Sequence, residues 1–120
     1  GLCIKSLNNK PGIFSARLAK KHGGFYKAMK FILKKMKNKK NRSAYFICSL
    51  SFKQKNQRVI NVVGKVHGTI AYEILGKNGF GYDPIFIPLK KRKTFGQMKP
   101  SQKYKMDHRY QAFKKIKKFL

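Results

Sequence analysis

At 120 residues and 42% hydrophobic, the chain can form one domain with a real core and has no room for a second. Thirty Lys and Arg face only Glu73, Asp83 and Asp107, a formal net charge of +27 that points to polyanionic ligands. No apolar run approaches the ~18 residues of a transmembrane span, and the start at Gly1 carries no signal-peptide core, so a cytoplasmic protein is expected.

The charge itself is ambiguous. Only Arg17, Arg42, Arg58, Arg92 and Arg109 are arginine, and the lysines are spread over nearly every segment. Base-edge readers favour clustered Arg. A basic nucleic-acid-binding module with stacking aromatics therefore stands as an alternative, and nucleic acid is otherwise expected only as a non-specific electrostatic partner. Cys3 and Cys48 lie in apolar, strand-like settings and are expected as free thiols. His22, His67 and His108 show no zinc-ligand spacing with them.

In chain order, Leu2, Ile4 and Leu7 suggest a short strand, and Asn8-Asn9-Lys10-Pro11-Gly12 a turn. Ile13 to Arg17 reads as a short helical or irregular piece. Gly23-Gly24 breaks the chain before a helix at about 25–37. There Phe25, Ala28, Met29, Ile32, Leu33 and Met36 recur at helical spacing opposite a lysine face. A basic membrane-surface helix would look similar, but packing on a sheet is the expectation. Residues 37–42 read as an exposed loop.

Ser43 to Lys53 alternates as a strand, with Ala44, Phe46, Cys48, Leu50 and Phe52 on one face. After a polar turn at 53–57, Arg58 to His67 pairs back as a hairpin. Gly64 and Gly68 interrupt its apolar face, which suggests a bulge or the close approach of another element. Ile70 to Leu75 is expected as a further strand, with Glu73 pairing a lysine. His22 and His67 are read as surface residues.

The most informative stretch is Gly79-Phe80-Gly81-Tyr82-Asp83-Pro84-Ile85-Phe86. Glycines on both sides of Phe80 permit positive φ and close backbone approach, while Pro84 favours an extended Asp83. Phe80 becomes a candidate platform for a flat, polar-edged ligand, with the Asp83 carboxylate beside it. A basic loop follows at Lys90-Lys91-Arg92-Lys93, then Thr94-Phe95-Gly96-Gln97-Met98. Pro100 to Met106 predicts a short helix, poorly capped by Lys99. Asp107 caps a second one reaching about Phe119, whose apolar face is Ala112, Phe113, Ile116 and Leu120. His108 and Arg109 fall in its first turn, where helix N–H groups already favour anions.

Several of these stretches together resemble the inosine/xanthosine triphosphate pyrophosphatases. They are Pro11–Arg17, Gly64-x-x-x-Gly68, the 79–86 octapeptide, Thr94–Met98, and Lys103 with His108-Arg109. Departures are Gly96 and Gln97 for Ala and Glu, Lys99 for a Ser cap, and Asp107 for the Ser before His-Arg. The resemblance implies a mixed α/β fold: a long twisted mixed β-sheet flanked by helices, with residues 1–120 forming the C-terminal two-thirds of a single domain. It also implies a homodimer. The activity implied is Mg²⁺-dependent hydrolysis of non-standard purine nucleoside triphosphates (ITP, dITP, XTP) to monophosphate and pyrophosphate.

Carried over by position, Phe80, Gly81, Tyr82, Asp83, Lys103, His108 and Arg109 would bind the substrate on its base and sugar side. Arg109 offers only donors, as would a protonated His108. They suit the O6 acceptor of hypoxanthine or xanthine and clash with the adenine amino group. The family's catalytic acids, the Mg²⁺ ligands and the loop that grips the triphosphate would lie before Gly1. The resemblance therefore assigns no catalytic or metal residue to this chain, and residues 1–120 alone are expected to be inactive.

Overall fold

The computed structural model describes residues 1–53, 55–56 and 58–119. Five strands form one sheet in the order β2-β1-β3-β4-β5: β1 (Leu2–Ile4), β2 (Lys10–Gly12), β3 (Ser43–Lys53), β4 (Val59–Ile70) and β5 (Phe86–Pro88). Four helices complete the α/β fold: α1 (Ser15–His22), α2 (Phe25–Lys35), α3 (Pro100–Tyr104) and α4 (His108–Lys117). Every pairing among the described residues is antiparallel, where the resemblance implied a mixed sheet.

The dominant unit is the β3–β4 hairpin, paired without interruption from Ser43↔Thr69 to Lys53↔Val59. At ~3.3 Å per residue its eleven-residue β3 strand extends about 36 Å, in a molecule 51 Å long. The β3 boundaries match those expected from its alternation. Of the polar turn at the hairpin tip, Gln54 and Gln57 lie outside the described residues.

Leu2, Ile4, Ala44 and Phe46 share the core face, since Leu2 pairs with Phe46 and Ile4 with Ala44. Against them pack Ala28, Met29, Ile32 and Met36 from α2 and its C-cap, together with Ile70, Ile85, Phe86, Phe95 and Met98. The apolar stripe of α2 is thus spent on the core, which answers the membrane-surface alternative for that segment. No helix among the described residues is long and apolar enough to cross a membrane.

Three expectations change. Lys10–Gly12 is a strand rather than part of a turn: Asn8 and Asn9 make the reversal, with φ of 57° and 61°, and Lys10 then pairs with Ile4. Residues 71–75 form no strand. Their backbone bonds to other segments, Ala71 N–H to the Ile85 carbonyl and Leu75 N–H to that of Pro84, and Glu73 is exposed. Finally, Arg42 lies in the expected loop but is a half-buried clamp rather than an exposed residue. Its guanidinium donates to the carbonyls of Ile70 (2.8 Å), Met36 (3.2 Å) and Ala71 (2.7 Å) and stacks on Tyr72.

The two hairpin glycines report close approach, not a bulge. A Cβ at Gly64 would overlap the backbone of Ala112 and the His108 carbonyl of α4. One at Gly68 would overlap the Ile87 carbonyl. The bare backbone at Gly64 is what lets α4 lie directly on the hairpin.

Candidate base-binding site

The Gly79–Asp83 loop is held from below. Thr94, fully buried, donates to the Leu75 carbonyl (2.6 Å) and forms a reciprocal capping box with Gln97. Asn78 bonds the Met98 carbonyl through its side chain and the Gly96 carbonyl through its N–H. Above this seam the chain turns at Gly79 (φ 73°) and Gly81 (φ 64°), conformations that L side chains resist. Phe80, between them, is 53% exposed.

Asp83 starts a 3-10 turn (Asp83–Ile85) instead of the extended conformation expected before proline. The turn aims its carboxylate inward. Oδ2 accepts from the Phe80 N–H (3.0 Å) and from Lys103 Nζ (2.6 Å). Both side chains of this pair are almost fully buried, and it is the one ion pair among the described residues. Burial pushes the Asp83 carboxyl above the usual carboxylate range, against the opposing pull of Lys103 and the Phe80 N–H. So Asp83 holds the loop and Lys103 together.

From α3, Lys103 places its ammonium 4.3 Å from the Phe80 ring centroid. From the first turn of α4, Arg109 places its guanidinium 4.4 Å from the same centroid. One exposed aromatic ring therefore carries two cations. The helix that brings Arg109 there begins as expected: Asp107 Oδ1 caps it by accepting from the Tyr110 N–H (2.8 Å). Phe80, Lys103, Asp107 and Arg109 line one cleft of about 590 Å³, together with Cys48 and Tyr110.

Two predicted contacts sit elsewhere. Tyr82 is buried, its ring edge-on to Phe25 and its hydroxyl donating to the Ser15 carbonyl (2.6 Å). Burial raises its hydroxyl to about 12. Its side chain anchors the loop to α1, where Ser15 in turn accepts from Leu2 N–H and donates to the Gly12 carbonyl. His108 lies nearly buried, stacked on Phe46 (5.1 Å, 18°), with Nδ1 unpartnered. Burial first, and nearby positive charge including Arg109 and Lys103, lower it to about 4. His108 is therefore neutral at pH 7, and the protonated form considered from the sequence is not the one present there. His22, expected on the surface, is half-buried against Phe31.

The structure thus brings Phe80, Asp83, Lys103 and Arg109 together, with Gly81 shaping the loop. Sequence reading missed Asn78 and the Thr94 seam as loop supports; the Thr94…Gln97 spacing of a capping box was the available signal. A larger cleft, about 710 Å³, lies between residues 6–14 and the α1/α2 pair, and contains none of the predicted site residues. No group of three or more metal-ligating side chains occurs among the described residues. Of the three acids, Asp83 is tied to Lys103, Asp107 caps a helix and Glu73 is exposed. These residues do not fit a Mg²⁺ site.

Curated relatives cover the whole chain. A "dITP/XTP pyrophosphatase" of Clostridium tetani is 42% identical over 120 residues, spanning 100% of this chain and 60% of the relative. One of Borreliella burgdorferi (strain ZS7) is 45% identical over 127 residues, with 100% and 62% covered. The solved structure of the Staphylococcus aureus Ham1 protein superposes with a TM-score of 0.93 at 37% identity, over 99% of this chain and 62% of that one. The chain spans about 60% of the length of the relatives it matches. With the Ham1 family profile matching residues 1–119, the chain belongs to the Ham1 family.

Proposed function

We propose that this chain supplies the base-recognition half of a pyrophosphatase that converts non-standard purine nucleoside triphosphates to the monophosphate and pyrophosphate. The observation that carries the reading is the exposed Phe80 ring flanked by the Lys103 and Arg109 cations. A purine stacking on that ring would gain about 1–3 kcal/mol. It would take the place of a cation now resting there and release that cation to the base edge or phosphate. Arg109, a pure donor, suits a 6-oxo group. Facing the adenine amino group it would be donor against donor, leaving buried polar groups unpaired at about 1–3 kcal/mol.

Gly81 and Tyr82 contribute by shaping and anchoring the Phe80 loop, and neutral His108 by seating the start of α4. The nucleic-acid-binding alternative finds no support in the relatives. Attack on the phosphate and Mg²⁺ binding would fall to residues outside these 120, and the whole enzyme would act as a homodimer.

The test is direct. Inosine 5′-monophosphate is titrated against the 120-residue chain, followed by chemical shifts of the Phe80 loop, and compared with adenosine 5′-monophosphate. Inosine should bind about tenfold more tightly, and Phe80→Ala should abolish the difference. Equal binding of both would overturn the reading. Pyrophosphate release from inosine triphosphate by this chain with Mg²⁺ would overturn the assignment of phosphate chemistry to other residues.

A further inference from the structure

The cleft of about 710 Å³ shares no lining residue with the base cleft. Its volume falls within the ~300–1,000 Å³ of clefts that hold small ligands. Its buried and half-buried walls are apolar: Leu7, Pro11, Leu18 and Phe31 line it, and Leu7 and Leu18 rest on the core behind. Ile13 and Phe14, which also line it, are 89% and 51% exposed. Contiguous apolar surface left open to water in this way marks a binding site. Four exposed cations complete the lining: Lys10 from β2, Arg17 and Lys21 from α1, and Lys35 from α2. Arg17 and Lys21 stand four residues apart and so share one side of α1, as Phe31 and Lys35 share one side of α2. Each helix thus gives the cleft both apolar surface and positive charge. No acid lines it, and the one ion pair among the described residues, Asp83–Lys103, lies in the base site.

We propose that this cleft binds a single fatty-acid molecule, with the alkyl chain along Leu7, Leu18 and Phe31 and the carboxylate among Lys10, Arg17, Lys21 and Lys35. The proposal goes beyond base recognition and does not depend on it. Charge complementarity selects the occupant. A second copy of this chain would bring its own cations against these four. A nucleotide or a polyphosphate would satisfy the cations but set polar atoms against an apolar wall, unpaired. An alkyl chain with one anionic end meets both requirements. Lysine and arginine stems can lie along the chain while their charged heads reach the carboxylate. The apolar surface is also concave, which suits one chain rather than the plane of a bilayer.

Decanoate, kept below its micellar concentration, is titrated against the 120-residue chain and followed by backbone chemical shifts. The shifts should concentrate in residues 6–14, α1 and the second half of α2, and leave the Phe80 loop unmoved. Hexanoate, shorter by four methylenes, should bind at least about tenfold more weakly. Decyltrimethylammonium, with the same chain and the opposite charge, should also lose about tenfold. Arg17→Gln with Lys21→Gln should weaken decanoate binding about fivefold and flatten its salt dependence. Lys20→Gln with Lys34→Gln, on the same helices but outside the cleft lining, should change neither. All four side chains are exposed, so their replacement leaves the core untouched. Equal losses in the two double variants, equal binding of the cationic amphiphile, or shifts centred on Phe80 would overturn the proposal. Failure of decanoate to bind would do the same, and binding to phosphatidylcholine–phosphatidylglycerol vesicles in its place would assign the cleft to a membrane-facing surface.

Discussion

The Asp83–Lys103 pair shows how one buried contact serves both stability and site. An ammonium and a carboxylate out of water are tolerable only together. Replacing Lys103 with Met leaves the Asp83 carboxylate alone beside the Phe80 N–H. The expected cost at neutral pH is about 3 kcal/mol or more, read as a lower urea midpoint. That cost should shrink as the pH falls through the raised Asp83 pKa, because the orphaned group can then take a proton.

His108 gives a second test, with the opposite protonation preference. Folded, it titrates at about 4; unfolded, at about 6.5. The unfolded chain takes the proton first, so the His108 contribution is complete above pH ~6.5 and is lost as the pH falls from there to about 4. After allowance for partial solvent screening it amounts to roughly 2 kcal/mol. His108→Phe, which keeps an aromatic ring against Phe46, should flatten unfolding free energy across that window. An unchanged slope would mean that His108 is solvated in the fold.

At the scale of elements, the site depends on α4 resting on the hairpin at Gly64. The contact sets the start of α4, from which Arg109 reaches over the Phe80 ring. Gly64→Ala puts a Cβ where the Ala112 backbone lies. Overpacking of this kind costs about 1–3 kcal/mol, and here the backbone it meets cannot rotate away. Thermal melting should fall, and nucleotide binding should weaken further than the melt alone explains, because the start of α4 is displaced.

The same elements show what was legible in the sequence. The β3 strand announced itself through strict alternation, α2 through its 3.6-residue stripe, and α4 through Asp107. Residues 10–12 did not, because a three-residue strand has no periodicity and two asparagines in left-handed conformation did the turning usually left to glycine. The 71–75 segment misled because its backbone bonds to Ile85 and Pro84 rather than to a strand, while Ile74 still packs against the core. At the site, Phe80, Lys103 and Arg109 could be grouped only through the family resemblance. No local pattern says that residues 80, 103 and 109 converge, nor that Tyr82 and His108, in the same motifs, point into the core. Leu120, expected on the α4 face, lies outside the described residues.

Across the molecule, +27 charges are spread over a body whose described residues contain one ion pair. Such a chain works against its own repulsion, and the bonds that cross between distant segments become correspondingly important. Arg42 is the clearest of them. It ties the end of α2 to the far end of β4 by bonds to Met36, Ile70 and Ala71. Those acceptors lie at the end of the hairpin farthest from its turn, so we expect the clamp to form late in assembly. In kinetic terms it is a latch rather than a nucleus. Arg42→Lys, which keeps the charge but loses the fork of donors, should raise the unfolding rate several-fold and leave the refolding rate nearly unchanged. Stopped-flow measurements would show one arm of the denaturant plot move while the other stays, and a slowed refolding arm would place Arg42 in the early nucleus instead. The lifetime of the folded state, more than the ease of reaching it, is then set by one guanidinium at the foot of the hairpin.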